Sequence, residues 1–250
     1  MKLLRFLADG QPRYGAVEQR QVRELTNDPF SGIKFGPRSF QLEELTLLPP
    51  CEPSKIVAVG VNYRAHAKEM GRPLPAEPLL FLKPSSALIG SGAAIHYPPG
   101  VTRLDHEAEL AVVIKKRIKS ISSAQAADAI LGYTCLNDVT ARDLQHKDLQ
   151  WTRAKAFDTF APLGPWIVTD LDPANLKIEA ILNGQVKQSG TTADMIFPVP
   201  FLVSFISSIM TLFPGDVITT GTPPGVSPMQ RGDTIEIAIE GIGRLTNTVR

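Results

Sequence analysis

The sequence predicts an α+β fold dominated by β-structure, and two observations carry that expectation. Strand-like runs outnumber helical ones along the chain, and several are separated by hairpin-length turns such as "NGQ" at 183–185. Long helical crossovers between strands, the mark of a doubly wound sheet, are missing from the pattern. With 250 residues and 27.2 kDa the chain can bury a substantial core, as one domain or as a main domain with a small appendage.

Residues 1–50 differ in texture from the rest. "LLRFLADGQPRYGAVEQRQVRELT" alternates short strand-like pieces with Asp-Gly and Gly turn signals, which predicts a small β-rich module over 1–50 and a main domain over 51–250. "TLLPPCEPS" at 46–54 carries three prolines and reads as a linker or crossover. "KIVAVGV" at 55–61 is a short β-branched run, expected as a buried strand. "NYRAHAKEMG" then has helical character, with Gly71 placed to stop it.

"PLLFLKP", "AELAVVI" and "GYTCLNDVT" are further strands, and the Ala-rich "SSAQAADAIL" at 122–131 predicts a helix capped by Ser122 or Ser123. "ARDLQHKDLQ" reads as a turn into a polar helix. "WIVTDL", the hairpin "KIEAILNGQVKQSG", "DVITTGT" and "DTIEIAIEGIGRLTNTV" complete the strands, and "VPFLVSFISSIMTL" at 199–212 is an apolar helix.

Composition excludes several classes of function. Lys and Arg total 26 against 25 Asp and Glu, a balance that leaves no electrostatic footprint for nucleic acid or for an anionic membrane. No run approaches the roughly 20 apolar residues needed to span a bilayer, and "MKLLRFLADGQ" lacks the long apolar region of a signal peptide. Cys51 and Cys135 form no CxxC pair and are expected as reduced thiols in a cytoplasmic protein. "GIGRLTN" is a G-x-G fragment without the further glycine or helix of a dinucleotide site.

The chemistry concentrates in "LDHEAELAVVI" at 104–114. Side chains alternate along a strand, so Glu107 and Glu109 share one face, with His106 and Ala108 on the other. Two carboxylates inside an apolar strand call for a compensating cation; on the pair alone, hydration at an exposed strand end explains them equally well. Asp138, closing the run "CLNDVTARD", adds a third hard oxygen donor. Three carboxylates without a His/Cys ligand set suit Mg²⁺, with Mn²⁺ or Ca²⁺ as substitutes, and disfavour zinc.

His66 and Glu69, three residues apart, fall on one face of the predicted helix. A carboxylate beside an imidazole fixes its tautomer and strengthens it as a base; alone, the spacing equally describes a surface histidine with a helical neighbour. His96, His106 and His146 show no comparable partner.

Seven ordered blocks, "VGVNYRAHAKEMG", "LFLKPSSAL", "DHEAELAVVI", "NDVTARDLQ", "WTRAKAFDTFAPLGPW", "MIFPVPFLVSFIS" and "DVITTGTPPGV", resemble the fumarylacetoacetate hydrolase family, especially its small acylpyruvase and oxaloacetate-decarboxylase-like branch. The resemblance runs from about Lys55 to the C-terminus, and residues 1–50 look like the N-terminal extension of bacterial members. It implies a mixed β-sandwich roll, usually a homodimer, with Glu107, Glu109 and Asp138 as ligands of a divalent cation. It further implies that His66 and Glu69 form a catalytic pair on a lid helix and that Lys155 reaches the reacting centre. Arg142, Gln145 and Thr222 match substrate contacts; Lys83 matches a family signature that is either a substrate contact or a structural pair. The "HKDLQ" between Gln145 and Trp151 is shorter than the matching segment of some relatives, which bears on substrate length.

The expected activity is Mg²⁺-dependent hydrolysis of the C–C bond of acylpyruvate-type 2,4-dioxo acids, decarboxylation of oxaloacetate, or both. The alternatives are tautomerisation or isomerisation of oxaloacetate or a 2-hydroxy-dienedioate, and a family member that binds metal without turnover. The expected partner is a small 2-oxo acid, with neither nucleic acid nor membrane.

Overall fold

The computed structural model describes residues 1–71 and 73–250. Its framework is a 12-stranded mixed sheet facing a 5-stranded one, with a 3-stranded ribbon beside them. The large sheet begins with the antiparallel strands β1 (Lys2–Ala8), β2 (Gln11–Glu18), β3 (Gln21–Leu25) and β4 (Phe35–Gln41). β1 also pairs with Ala161–Val168, so the N-terminal strands extend the same sheet as the rest of the chain. The order continues through Ile130–Asn137, Ala108–Ile114, Val217–Thr219 and Ile56–Gly60 to an edge at Leu79–Lys83.

Strand burial follows the sequence pattern. Ala108–Ile114 is buried at every residue, as expected of a near-continuous apolar run between two layers. Thr234–Ile239 instead alternates, with Ile235, Ile237 and Ile239 turned into the core. The expected hairpin is present: Lys177–Leu182 pairs with Gln185–Thr191, and Asn183 and Gly184 both take positive φ, 50° and 78°. Those are the backbone angles that a two-residue Asn-Gly turn supplies at low cost.

Four α-helices are present among the described residues: α1 (Arg64–Glu69), α2 (Arg142–Lys147), α3 (Thr152–Lys155) and α4 (Val199–Ile209). α4 buries Val199, Leu202, Val203 and Ile206, a helical stripe against the core. α1 ends where Gly71 turns to φ 63°.

Two expectations need correction. Residues 122–131 do not form an α-helix; they form two 3-10 turns, Ser123–Gln125 and Ala127–Ala129. Ile130 and Leu131 are claimed by the adjacent strand, which pairs Ile130 with Ile114, and the remainder is too short to propagate a helix. Ser122 still caps, through a reciprocal box with Gln125. The 46–54 linker is in part strand: Thr46–Leu48 pairs with β1 before Pro49 breaks the ladder.

Candidate metal centre and active site

The fold explains how three distant acids meet. Ala108–Ile114 and Ile130–Asn137 are antiparallel, with Ala108 opposite Asn137, so the start of one strand meets the end of the other. Glu107 and Asp138 flank that junction, and the Asp138 N–H donates to the Glu107 carbonyl at 2.9 Å. The Glu107 N–H donates to the Asn137 side-chain oxygen, also at 2.9 Å. One carboxylate oxygen from each of Glu107, Glu109 and Asp138 lies within 4.8 Å of the others. Their exposures of 6%, 2% and 1% exclude hydrated strand-end glutamates.

Fixed partners surround the acids. Lys155 Nζ bridges Glu107 Oε2 at 2.8 Å and Asp138 Oδ2 at 2.6 Å. Lys83 Nζ donates to Asp138 Oδ1 at 2.6 Å and to the Val139 carbonyl at 3.3 Å. Arg142 Nη2 donates to Glu107 Oε1 at 2.5 Å, while its Nε binds the buried Asp105 at 2.8 Å and its Nη1 binds the Gln145 side-chain oxygen. Glu109 Oε2 accepts from the Gly221 N–H at 2.8 Å and from the Thr219 hydroxyl. Gly221 sits at φ 89°, and an added Cβ would meet Asn62 Cβ at 2.8 Å, so only glycine delivers that N–H.

The electrostatics are uneven. Burial pushes the Glu107 carboxyl up, but Lys155 and Arg142 outweigh it and hold the group below the usual carboxylate range. Glu109 has no cationic hydrogen-bond partner; burial, then Asp138 and Glu107, push it well above that range. Burial lowers Lys83, against the pull of Asp138. Burial also opposes the charge of Lys155, but Asp138 and Glu107 prevail and raise it. An all-oxygen donor set with one under-compensated carboxylate fits a hard divalent cation.

The acids form one wall of a cleft with about 360 Å³ of empty space that opens to solvent. Of the site residues expected from sequence, all but Glu69 and Lys83 line it. Glu69 stands behind the wall, its side chain 45% exposed, with Oε2 3.0 Å from His66 Nδ1. His66 is itself buried, which excludes the surface-histidine alternative. With Nδ1–H donated to Glu69, its Nε2 carries the lone pair. Glu69 also accepts the Gly225 N–H at 3.1 Å. Phe81 and Trp151, packed edge to face at 5.3 Å between centroids, close the cleft beside Lys155.

Thr222 lines the cleft, but its hydroxyl donates to the Ala108 carbonyl at 2.9 Å and accepts from Gln188 at 2.8 Å. Lys83 does not line the cleft; it is a buried partner of Asp138. His106 has no carboxylate partner like that of His66; it is fully buried, with Nδ1 3.0 Å from Gln188 Oε1 and Nε2 2.8 Å from Ser227 Oγ. Sequence reasoning also missed Asp105, Asn137, Gln188 and Thr219. A buried acid beside the "HEAE" stretch was a usable signal for Asp105; Gln188 had none, lying 80 residues from Ala108.

Comparison with known proteins follows the same lines. Residues 55–250 match the family model described as fumarylacetoacetate (FAA) hydrolase C-terminal, and residues 1–50 the model described as Rv2993c-like, N-terminal. The chain is 39% identical over 259 residues to the mitochondrial oxaloacetate tautomerase FAHD2A of Bos taurus, covering 99% of this chain and 79% of the relative. The solved structure of 5-carboxymethyl-2-hydroxymuconate delta-isomerase from Mycobacterium smegmatis matches with a TM-score of 0.94 at 45% identity, covering 100% of this chain and 99% of that one. Maleylpyruvate hydrolase from Sphingobium sp. SYK-6, solved with manganese(II) ion and pyruvate, matches with a TM-score of 0.83 at 32% identity, covering 100% and 98%. By sequence and by fold, the chain belongs to the fumarylacetoacetate hydrolase family.

Proposed function

We propose that the chain is a divalent-cation-dependent enzyme that moves a proton at C3 of a small 2-oxo dicarboxylic acid, interconverting its keto and enol forms. The observation that carries this reading is a single cleft joining a buried acid triad to an imidazole whose far nitrogen is held by a carboxylate. Relatives at 39% and 45% identity bear the names of a tautomerase and an isomerase, which supports proton transfer as the reaction.

Glu107, Glu109 and Asp138 would hold the cation, Mg²⁺ or Mn²⁺. When bound, it supplies Lewis acidity toward the 2-oxo acid and makes the C3 protons more acidic. His66 Nε2 takes a C3 proton; the C–H electron pair becomes the C2–C3 double bond, the carbonyl π pair moves onto oxygen, which takes a proton from water, and His66 returns its proton to solvent. Glu69 holds the imidazole in the tautomer that can accept, a form of general-base help worth about 10²–10⁴ in rate. Lys155 has three N–H donors and spends two on Glu107 and Asp138, leaving one for developing oxygen charge. Gln145 lines the cleft and gives its oxygen to Arg142, which leaves its NH₂ as the group to donate to a substrate carboxylate.

The His66–Glu69 pair also favours a second reading, C–C hydrolysis of acylpyruvates. There His66 takes a proton from water, which attacks the distal carbonyl; the bond to C3 breaks, its electron pair stays on C3, and C3 is then protonated. The test is incubation of the Mg²⁺-loaded protein with oxaloacetate, acetylpyruvate and a 2-hydroxy-dienedioate, following enol absorbance and pyruvate release. Loss of oxaloacetate enol absorbance without pyruvate supports the first reading; Mg²⁺-dependent pyruvate release from acetylpyruvate supports the second. Absence of Mg²⁺-dependent turnover with all three overturns both.

A further inference from the structure

Gln188 lies on the strand Gln185–Thr191 of the smaller sheet, outside the cleft, and is completely buried. Its carboxamide makes four contacts, and they fall into two pairs. Oε1 accepts from the Ala108 N–H at 2.9 Å and faces His106 Nδ1 at 3.0 Å. Nε2 donates to Thr222 Oγ1 at 2.8 Å and to the Pro223 carbonyl at 2.7 Å. The amide has two donors and an oxygen with two lone pairs, so its hydrogen-bonding capacity is fully spent.

The two pairs serve different halves of the site. His106 and Ala108 flank Glu107, the first acid of the segment that also carries Glu109. One carboxamide oxygen holding the Ala108 N–H and the His106 ring therefore anchors the backbone on which two acids of the triad sit. Thr222 and Pro223 lead directly to Gly225, whose N–H holds Glu69, the partner of His66. Gly225 cannot drift sideways: it sits at φ 95°, and a Cβ there would meet the Lys187 carbonyl, from the residue before Gln188, at 2.3 Å. Thr222 closes the loop by donating back to the Ala108 carbonyl.

We infer that Gln188 is a positioning residue: it ties the acid triad and the support of the His66–Glu69 pair to one strand of the smaller sheet. It touches neither cation nor substrate and acts through Ala108 on one side and through the Thr222–Gly225 loop on the other. This rests on the proposed reading of Glu107, Glu109 and Asp138 as cation ligands.

The test is calorimetric titration of the full-length protein with Mn²⁺, alongside hydrogen exchange of the peptide spanning 221–227. Gln188→Leu removes both pairs; its Mn²⁺ affinity is expected to fall about tenfold or more, the usual effect of losing a partner behind a ligand, and exchange at 221–227 to quicken. Gln188→Glu keeps an oxygen for Ala108 and His106 but loses both donors. It is expected to hold Mn²⁺ within about threefold of the unaltered chain, below the tenfold loss typical of such partners, while exchange at 221–227 still quickens. Folded Gln188→Leu protein with unchanged Mn²⁺ affinity overturns the inference. Should the leucine variant fail to fold, the glutamate variant decides: affinity loss of tenfold or more, or unchanged exchange at 221–227, overturns it. Failure of the unaltered chain to bind Mn²⁺ instead defeats the cation reading itself, and the inference with it.

Discussion

The two halves of the cleft are built in opposite ways. Glu107, Glu109 and Asp138 sit on or beside long sheet strands, buried and surrounded by fixed donors from Lys83, Arg142, Lys155, Thr219 and Gly221. His66 and Glu69 ride on a helix of six residues with no side-chain cap, and Glu69 is half-exposed. The acid wall is a rigid, charge-dense frame whose geometry cannot change without leaving charges unpaired. The base sits on a short helix tied down at Glu69 by the Gly225 N–H and at Arg64, which donates to the Met195 carbonyl at 3.1 Å. A cation needs a preformed site, whereas a base that must meet a changing substrate benefits from a lightly tethered support.

The contrast can be broken from either side. The largest effect is expected on the acid wall: Glu109→Gln should lower Mn²⁺ affinity by more than about 100-fold, beyond the range for partners behind a ligand, with activity lost in parallel. Calorimetry and turnover at fixed Mn²⁺ check it. On the other wall, His66→Ala should lower kcat by about 10²–10⁴ and leave Mn²⁺ affinity unmoved. If both substitutions changed metal binding alike, the division between the halves would be wrong.

A subtler effect is expected at Lys83. Its ammonium is fully buried against Asp138, and removing it leaves Lys155 as the one remaining cation paired with that acid among the described residues. Lys83→Met should destabilise the apoprotein by up to about 3–5 kcal/mol, read from urea unfolding, and added Mn²⁺ should recover part of the loss by restoring positive charge beside Asp138. Smallest is the behaviour of Cys51, whose thiol burial pushes up to about 12. At pH 8 it should resist alkylation in the folded protein and react once the chain is unfolded in urea. Rapid labelling of native protein would show that this core opens easily.

The same two regions mark what the sequence could and could not convey. Strand alternation put Glu107 and Glu109 on one face, and Asn183-Gly184 marked its hairpin, because both signals are local. His66 and Glu69 were legible from helical spacing, and the ordered family blocks pointed to Lys155 and Arg142. Which acid each partner holds was not legible, because sheet pairing brings the donors from far along the chain. Thr219 meets Glu109 across 110 residues and Lys83 meets Asp138 across 55. The partners of His106 were hidden for the same reason, since Gln188 and Ser227 lie 82 and 121 residues away. At 122–131 local helix propensity pointed one way and the register of the neighbouring strand another, and tertiary pairing prevailed.

The central claim is that an acid-bound cation and the His66–Glu69 pair together move a proton at C3 of a 2-oxo acid. The most direct measurement is proton NMR of oxaloacetate in D₂O with the Mg²⁺-loaded protein, following washout of the C3 methylene signal above the uncatalysed rate. Catalysed washout is expected with the unaltered chain. It should slow by about 10²–10⁴ in His66→Ala while Mg²⁺ remains bound. Washout that continues at the same rate in His66→Ala, or none in the unaltered chain, would contradict it.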